Sequence, residues 1–133
     1  MSQENVALAH EVIDAVERRD LSRLIDLTDP EVEWRSVFAE VGEEGVYRGH
    51  PGMRRYVMDI SDAWEVVRLD VDDQLEVGDI AVLVGRIHYR GKGSGVETES
   101  PAGYMIRFHR GRVVCFRGFR EPEQALAAVG LSE

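Results

Sequence analysis

Residues 80–119 read IAVLVGRIHYRGKGSGVETESPAGYMIRFHRGRVVCFRGF, and the spacing of apolar side chains in that stretch decides the fold. Apolar and charged residues alternate in steps of two, as in strands with one dry face. From Ile80 to Arg90, Ala81, Leu83, Ile87 and Tyr89 form an uncharged set, while Arg86, His88 and Arg90 share the other side with Val82 and Val84. Gly91-Lys92-Gly93-Ser94-Gly95 makes a flexible turn. Beyond it Val96, Thr98, Ala102, Tyr104, Ile106 and Phe108 oppose Glu97, Glu99, Arg107 and His109. After a turn at Arg110-Gly111, the last strand, Arg112 to Phe119, is apolar on both sides. Val113, Cys115, Arg117 and Phe119 form one set, and Val114, Phe116 and Gly118 the other. A strand of that kind is expected to be covered on both faces.

Working outward, Val67, Leu69 and Val71 alternate with Arg68, Asp70 and Asp72. Val32, Trp34, Ser36 and Phe38 alternate with Glu31, Glu33 and Arg35. Elsewhere the period is 3.6. Glu4 to Arg18 puts Val6, Leu8, Ala9, Val12, Ile13, Ala15 and Val16 on one arc of a helix, with Glu11, Asp14 and Arg18 opposite. Asp20 is placed to accept from the free N–H groups of a short second helix, Leu21 to Leu27, which stops at Thr28-Asp29-Pro30. A third helix follows Gly49-His50-Pro51-Gly52 and groups Met53, Tyr56, Val57, Ile60 and Trp64 on its apolar side. A fourth runs from about Pro122 to Val129, with Gly130 as its stop. Helix, helix, strand, helix and then four strands in succession is an α+β order, not the alternation of a parallel α/β sheet. A twisted, curved mixed or antiparallel sheet wrapped around three N-terminal helices, with a short C-terminal helix, is expected. Its concave dry face would leave a small-molecule pocket.

Composition narrows the function. Residues 1–133 suit one domain. With 25 acidic against 16 basic side chains, the net charge of -9 argues against a nucleic-acid partner. The longest aliphatic run, Ile80 to Val84, is far shorter than the ~20 residues of a membrane span, and no basic-then-apolar leader opens the sequence. Cys115 is the one cysteine, so neither an intrachain disulfide nor a paired-cysteine zinc site is available, and a reducing cytoplasmic location is expected. No metal and no cofactor is expected.

Several short motifs then stand in a telling order: Asp20-Leu21-Ser22-Arg23-Leu24 before Pro30-Glu31-Val32-Glu33-Trp34, Tyr47-Arg48-Gly49-His50-Pro51-Gly52, Gly78-Asp79, Gly93-Ser94-Gly95, Gly111-Arg112-Val113-Val114, and the tail Ala125 to Leu131. In that order the chain resembles the nuclear transport factor 2-like superfamily, and within it the bacterial SnoaL-like, ketosteroid-isomerase-like branch, over essentially its whole length. The resemblance implies a cone-shaped α+β fold with a hydrophobic cavity and a homodimer through the outer sheet face. It also implies chemistry ranging from polyketide cyclisation and steroid isomerisation to epoxide hydrolysis, beside members of no known activity.

The residues themselves carry no obvious catalytic set. Proton abstraction next to a carbonyl needs a tuned base and a donor to the oxyanion. By alternation, however, Glu33, Glu97 and Glu99 fall on wet faces, and Glu121 serves equally as a helix cap. The dry faces offer Trp34, Ser36, Phe38, Tyr47, Tyr56, Tyr89, Tyr104, Ile106 and Phe119 as a wall for a small apolar or cyclic ligand, with Trp34 and Tyr56 also readable as plain core. Tyr104 matches a position where relatives often carry a polar group. Arg117 would need a ligand anion if its strand face points inward, and is a surface or dimer contact if Val114 and Phe116 point inward instead. His50, where the chain enters the third helix near an expected pocket mouth, is the histidine to weigh as a proton carrier against a capping role. Two functions follow: a non-catalytic binding domain, or an isomerase or cyclase with Tyr104 or Arg117 polarising oxygen and His50 moving a proton.

Overall fold

The computed structural model describes residues 3–37 and 46–130. Its elements in chain order are α1 (Gln3–Arg18), α2 (Leu21–Leu27), β1 (Thr28–Arg35), β2 (Val46–Arg48), α3 (Gly49–Ala63), β3 (Trp64–Val77), β4 (Ile80–Gly91), β5 (Glu97–His109), β6 (Arg112–Phe119) and α4 (Pro122–Ala128). The six strands form one mixed sheet in the order β2-β1-β6-β5-β4-β3. Pairing is antiparallel except between β1 and β6, which run parallel because the chain returns to β1's side only after the long excursion through α3 and the β3–β5 meander. The sheet is not closed, and β2 and β3 are its edges. The strand β2 has too few residues to show a period and was not visible in the sequence.

The helical wheels hold. Val6, Ala9, Val12, Ile13, Ala15 and Val16 of α1 are buried, and the Asp20 carboxylate accepts the Arg23 N–H at 3.1 Å to start α2. In α3, Met53, Tyr56 and Ile60 face the core, while Trp64 has left the helical stripe to open β3. Glu121 occupies the N-cap of α4, just before Pro122, but its side chain makes no capping bond. All three early helices pack into the concave inner face of the sheet.

Curvature comes from irregular pairing. The register slips between Val71 and Asp73, opposite Gly85, and a Cβ on Gly85 would lie 1.9 Å from the Asp70 carbonyl oxygen. Only glycine lets β3 fold that closely over β4. A second slip lies between Arg107 and Phe108, so that Val113 pairs with Phe108 but Cys115 with Arg107. One extra residue of β6 thus turns Val113 and Phe116 to the same, inner side. Strict alternation assigned them to opposite faces, and the bulge is why it failed.

The outer face carries a second apolar cluster, Ile80, Val82, Met105 and Ala125, with Cys115, Phe119 and Leu126 packed on it. Here α4 folds back onto β4 and β5, seated on Gly103, whose hypothetical Cβ would meet that of Ala125 at 2.9 Å. The double apolarity of β6 is therefore answered within the chain, by α4 outside and the core inside.

Candidate functional site

The inner face is organised in rows of residues that sit opposite one another on successive strands. The deepest aromatic row is Tyr47 on β2, Trp34 on β1 and Phe116 on β6, continued by Ile106 on β5 and Ala81 on β4. Trp34 and Phe116 stack at 3.8 Å with planes 4° apart. Tyr56 of α3 closes over them, 5.2 Å from Trp34 and 5.3 Å from Tyr47, and Tyr104 lies 5.4 Å from Phe116. Five rings thus form one cluster at contacts favourable for aromatic pairs. Trp34, Tyr56, Tyr104, Phe116 and Ile106 are all buried.

One inward position beyond Ile106 stands Tyr104, then Ala102, then Ser100, where the sheet reaches the wide end of the cone. There Val37, Trp64, Ile87, Tyr89, Ser100, Pro101 and Arg120 line a recess of about 100 Å³, its walls made by Trp64 and Tyr89 in an edge-to-face contact at 4.9 Å. The sequence led us to expect a roomy hollow lined with rings. Among the described residues five rings instead pack against one another in the interior, and the recess at this mouth is small.

Polar groups inside are few. Burial pushes the Tyr56 phenol up to about 12, against the opposing pull of the Trp34 indole N–H, the Ser36 hydroxyl and the Arg19 guanidinium. Burial likewise drives Tyr104 far above the ordinary tyrosine range, helped by the nearby Tyr56 and Glu17. Both phenols are therefore neutral donors at physiological pH. Among the described residues, two buried N–H groups lack a partner at full hydrogen-bond geometry: Trp34 Nε1, which still acts on the Tyr56 phenol, and Arg19 Nε. The other end of the Arg19 guanidinium donates to the Trp64 carbonyl at 3.0 Å, from a residue held at a left-handed φ of 56°. Glu17, two residues earlier, accepts the Leu69 N–H of edge strand β3 at 2.7 Å, and burial raises its carboxyl above the ordinary range. Neither Glu17 nor Arg19 was singled out in the sequence, because the end of a helix beyond its apolar arc reads as solvated. No periodic signal marks a side chain that reaches round that end.

The remaining expected site residues are dispersed. Tyr47 shares the inner face with Trp34 but turns its hydroxyl to Asp59, donating at 2.7 Å, and that bond together with burial keeps its proton on. His50 Nε2 donates to the Thr28 carbonyl at 3.0 Å. Thr28 and Ser36 are at opposite ends of β1, roughly 26 Å apart along an extended strand, so His50 ties down the narrow end of the cone and not its mouth. Arg117 pairs in register with Met105 and is exposed, and Phe119 pairs with Gly103; both belong to the outer face, with the guanidinium 4.8 Å over the Phe119 ring. The alternative in which Phe116 points inward and Arg117 lies at the surface is the one the structure takes. Phe38 lies outside the described residues.

The wet acids stay wet. Glu99 and Asp72 bind Arg86 at 3.2 and 2.9 Å, Glu97 binds Arg90 at 3.0 Å, and His88 bonds to Asp70 at 2.7 Å, all on the outer face of β3–β5. Arg68, and after it His88, hold the Asp70 carboxyl below its usual range. Among the described residues no cluster of histidine, cysteine or carboxylates could hold a metal, and no helix is long and apolar enough to cross a membrane.

A cone of three helices in a curved six-stranded sheet, filled by rings and open at one end, defines the nuclear transport factor 2-like class of α+β folds. The SnoaL-like domain profile matches residues 9–116, and the chain belongs to that family. Among solved structures, a nuclear transport factor 2-like protein of unknown function from Burkholderia pseudomallei superposes with a TM-score of 0.77 at 22% identity, covering 96% of this chain and 98% of its own. TerC, co-crystallised with polyporic acid, gives 0.76 at 18% identity over 96% and 97% of the two chains. A hypothetical protein of ketosteroid isomerase-like fold from Catenulispora acidiphila, in complex with trimethylamine, gives 0.75 at 14% identity over 93% and 92%. At these identities the likeness is one of fold. No functionally curated protein matches the sequence.

Proposed function

We propose that this SnoaL-like domain, reading residues 1–133 as one unit, binds a small apolar or cyclic molecule bearing an oxygen acceptor. The ligand enters at the Trp64–Tyr89 mouth and reaches towards Tyr56 and Tyr104. The observation that carries this reading is the pair of buried donors without a full hydrogen bond among the described residues, Arg19 Nε and Trp34 Nε1, set around a phenol that burial keeps neutral. Buried polar groups are nearly always satisfied, and an orphan donor in an apolar wall is a place for a ligand oxygen. The titratable and aromatic residues assigned here are Tyr104, Tyr56 and Trp34, with Tyr89 and Ser36 nearer the mouth. His50, Arg117 and Phe119 are left out because of their positions. Native mass spectrometry of co-purifying small molecules, comparing the wild type with Tyr104→Phe and Arg19→Gln, tests it. Loss of the retained species in either variant is expected, and retention unchanged in both overturns the assignment.

One observation favours a second reading, an isomerase or cyclase acting next to a carbonyl. Glu17 is a carboxyl whose proton affinity is raised by burial and whose charge reaches Tyr104, the pairing of tuned base and phenolic donor that such chemistry uses. Deuterium uptake from heavy water into a cyclic β,γ-unsaturated ketone, abolished by Glu17→Gln, would establish it. A cytoplasmic location and a homodimer through the charged outer ladder of β3–β5 complete the proposal. They are supported by the lone cysteine and by the self-complementary signs along that ladder. Light scattering at micromolar concentration checks the dimer.

A further inference from the structure

On the outer side of the molecule, between the β1–β6 pair and α4, runs a groove of about 600 Å³, away from the β3–β5 ladder and meeting the recess at the cone's mouth only at Val37 and Arg120. Its lining includes three guanidinium-bearing residues, Arg35, Arg117 and Arg120, together with Phe119, Ala127 and Ala128. Arg35 and Arg117 are direct neighbours in the parallel register, so two like charges stand side by side on one face. That arrangement costs stability unless an anion answers it. The chain has 25 acidic residues, and other arginines on the same face have found them: Arg48 meets Glu33 at 3.7 Å, Arg86 meets Asp72 at 2.9 Å and Arg107 approaches Asp79 at 3.9 Å. Among the described residues neither Arg35 nor Arg117 meets a carboxylate. Arg117 lies over the Phe119 ring instead, which holds the guanidinium plane in place while leaving its donors open.

We propose that this groove is a binding site for a small amphipathic anion, a single oxyanion head held by Arg35 and Arg117 with an apolar body lying along Phe119 and the alanines of α4. A guanidinium pair presents forked donors matched to a carboxylate or phosphate. The volume falls within the range of small-molecule sites. Charge complementarity against a chain of net charge -9 makes the groove stand out as the place on this face where an anion is welcome. The head-group site rests on Arg35 and Arg117, neither of which lines the recess at the cone's mouth.

The test uses the full chain and the fluorescent probe 1-anilinonaphthalene-8-sulfonate, with uncharged N-phenyl-1-naphthylamine as its twin lacking the sulfonate. Saturable sulfonate-probe binding is expected to weaken at least tenfold in R35Q/R117Q and to weaken with added salt, while binding of the neutral twin changes less than twofold. R54Q, on the exposed side of α3, removes a charge elsewhere and should leave the affinity unchanged. Should R35Q/R117Q fold poorly, R35K/R117K keeps the charge, loses the fork, and is expected to show an intermediate loss. Displacement of the probe by decanoate or by decyl phosphate supports the site, and the stronger competitor identifies its head group. Three results overturn the proposal: equal loss in R54Q, displacement by neither competitor, or a change in oligomeric mass in R35Q/R117Q, which would make the groove an interface between copies.

Discussion

On the inner face of the sheet Trp34, Phe116, Ile106 and Ala81 stand in one row without a charge. One residue further along β1 and β6, the outer face presents Arg35 beside Arg117, and across β3–β5 a ladder of arginine, histidine and carboxylate. The two faces share backbones and differ only in which alternate side chain they receive, yet they solve different problems. Inside, rings exclude water, and desolvation keeps the Tyr56 and Tyr104 phenols neutral and raises the proton affinity of the Glu17 carboxyl. Outside, water screens each charge, so ion pairs form cheaply and contribute little individually. The contrast puts most of the buried apolar surface on the inner face, with a smaller share under α4 on the outer one.

The most drastic way to break the contrast is Trp34→Ala, which empties the stacked position against Phe116. A loss of about 3–5 kcal/mol in denaturant unfolding is expected, whereas Arg117→Ala, one pleat away on the opposite face, should stay within about 0.5 kcal/mol. Bending can be attacked separately. Gly85→Ala drives a Cβ into the Asp70 carbonyl at 1.9 Å, and a cost of about 1–3 kcal/mol with a lowered Tm is expected if the bulge is what curls β3 over β4. The smallest effect sharpens the electrostatic half of the comparison. Because burial raises the folded-state pKa of Glu17, the folded chain holds that proton more tightly than the unfolded one, and stability falls as pH rises through the raised value. Glu17→Gln removes this cost while keeping an acceptor for Leu69. The variant should gain a few tenths of a kcal/mol over wild type at pH 7, a modest figure because the group is partly solvated. The advantage should vanish below the ordinary glutamate range. A pH-independent difference between the two proteins would show that desolvation is not what tunes this carboxyl.

Much of the fold was legible because it depends on periods that local sequence writes out. The wheel of α1 from Val6 to Val16, the Asp20 cap and the wet placement of Glu97 and Glu99 each follow from a spacing of 3.6 or 2. The candidate site was legible only in part. Trp34, Tyr56, Tyr104 and Ile106 were correctly assigned to the dry side, but Arg117, Phe119 and His50 were grouped with them for reasons that long-range geometry undid. Arg117 and Phe119 face outward because an extra residue near Val114 shifts the register of β6 against β5. His50 is at the narrow end because β1 runs the full height of the cone between Thr28 and Ser36.

By itself, then, the sequence determined which side chains avoid water, since alternation and helical period are properties of neighbours a few positions apart. Only the tertiary structure decided how much room those side chains leave, which of the described arginines meet a described carboxylate, and that Glu17 and Arg19 turn toward the rings. Those outcomes depend on strands far apart in the chain being brought together, and on bulges whose position is set by packing between them, quantities no local period encodes.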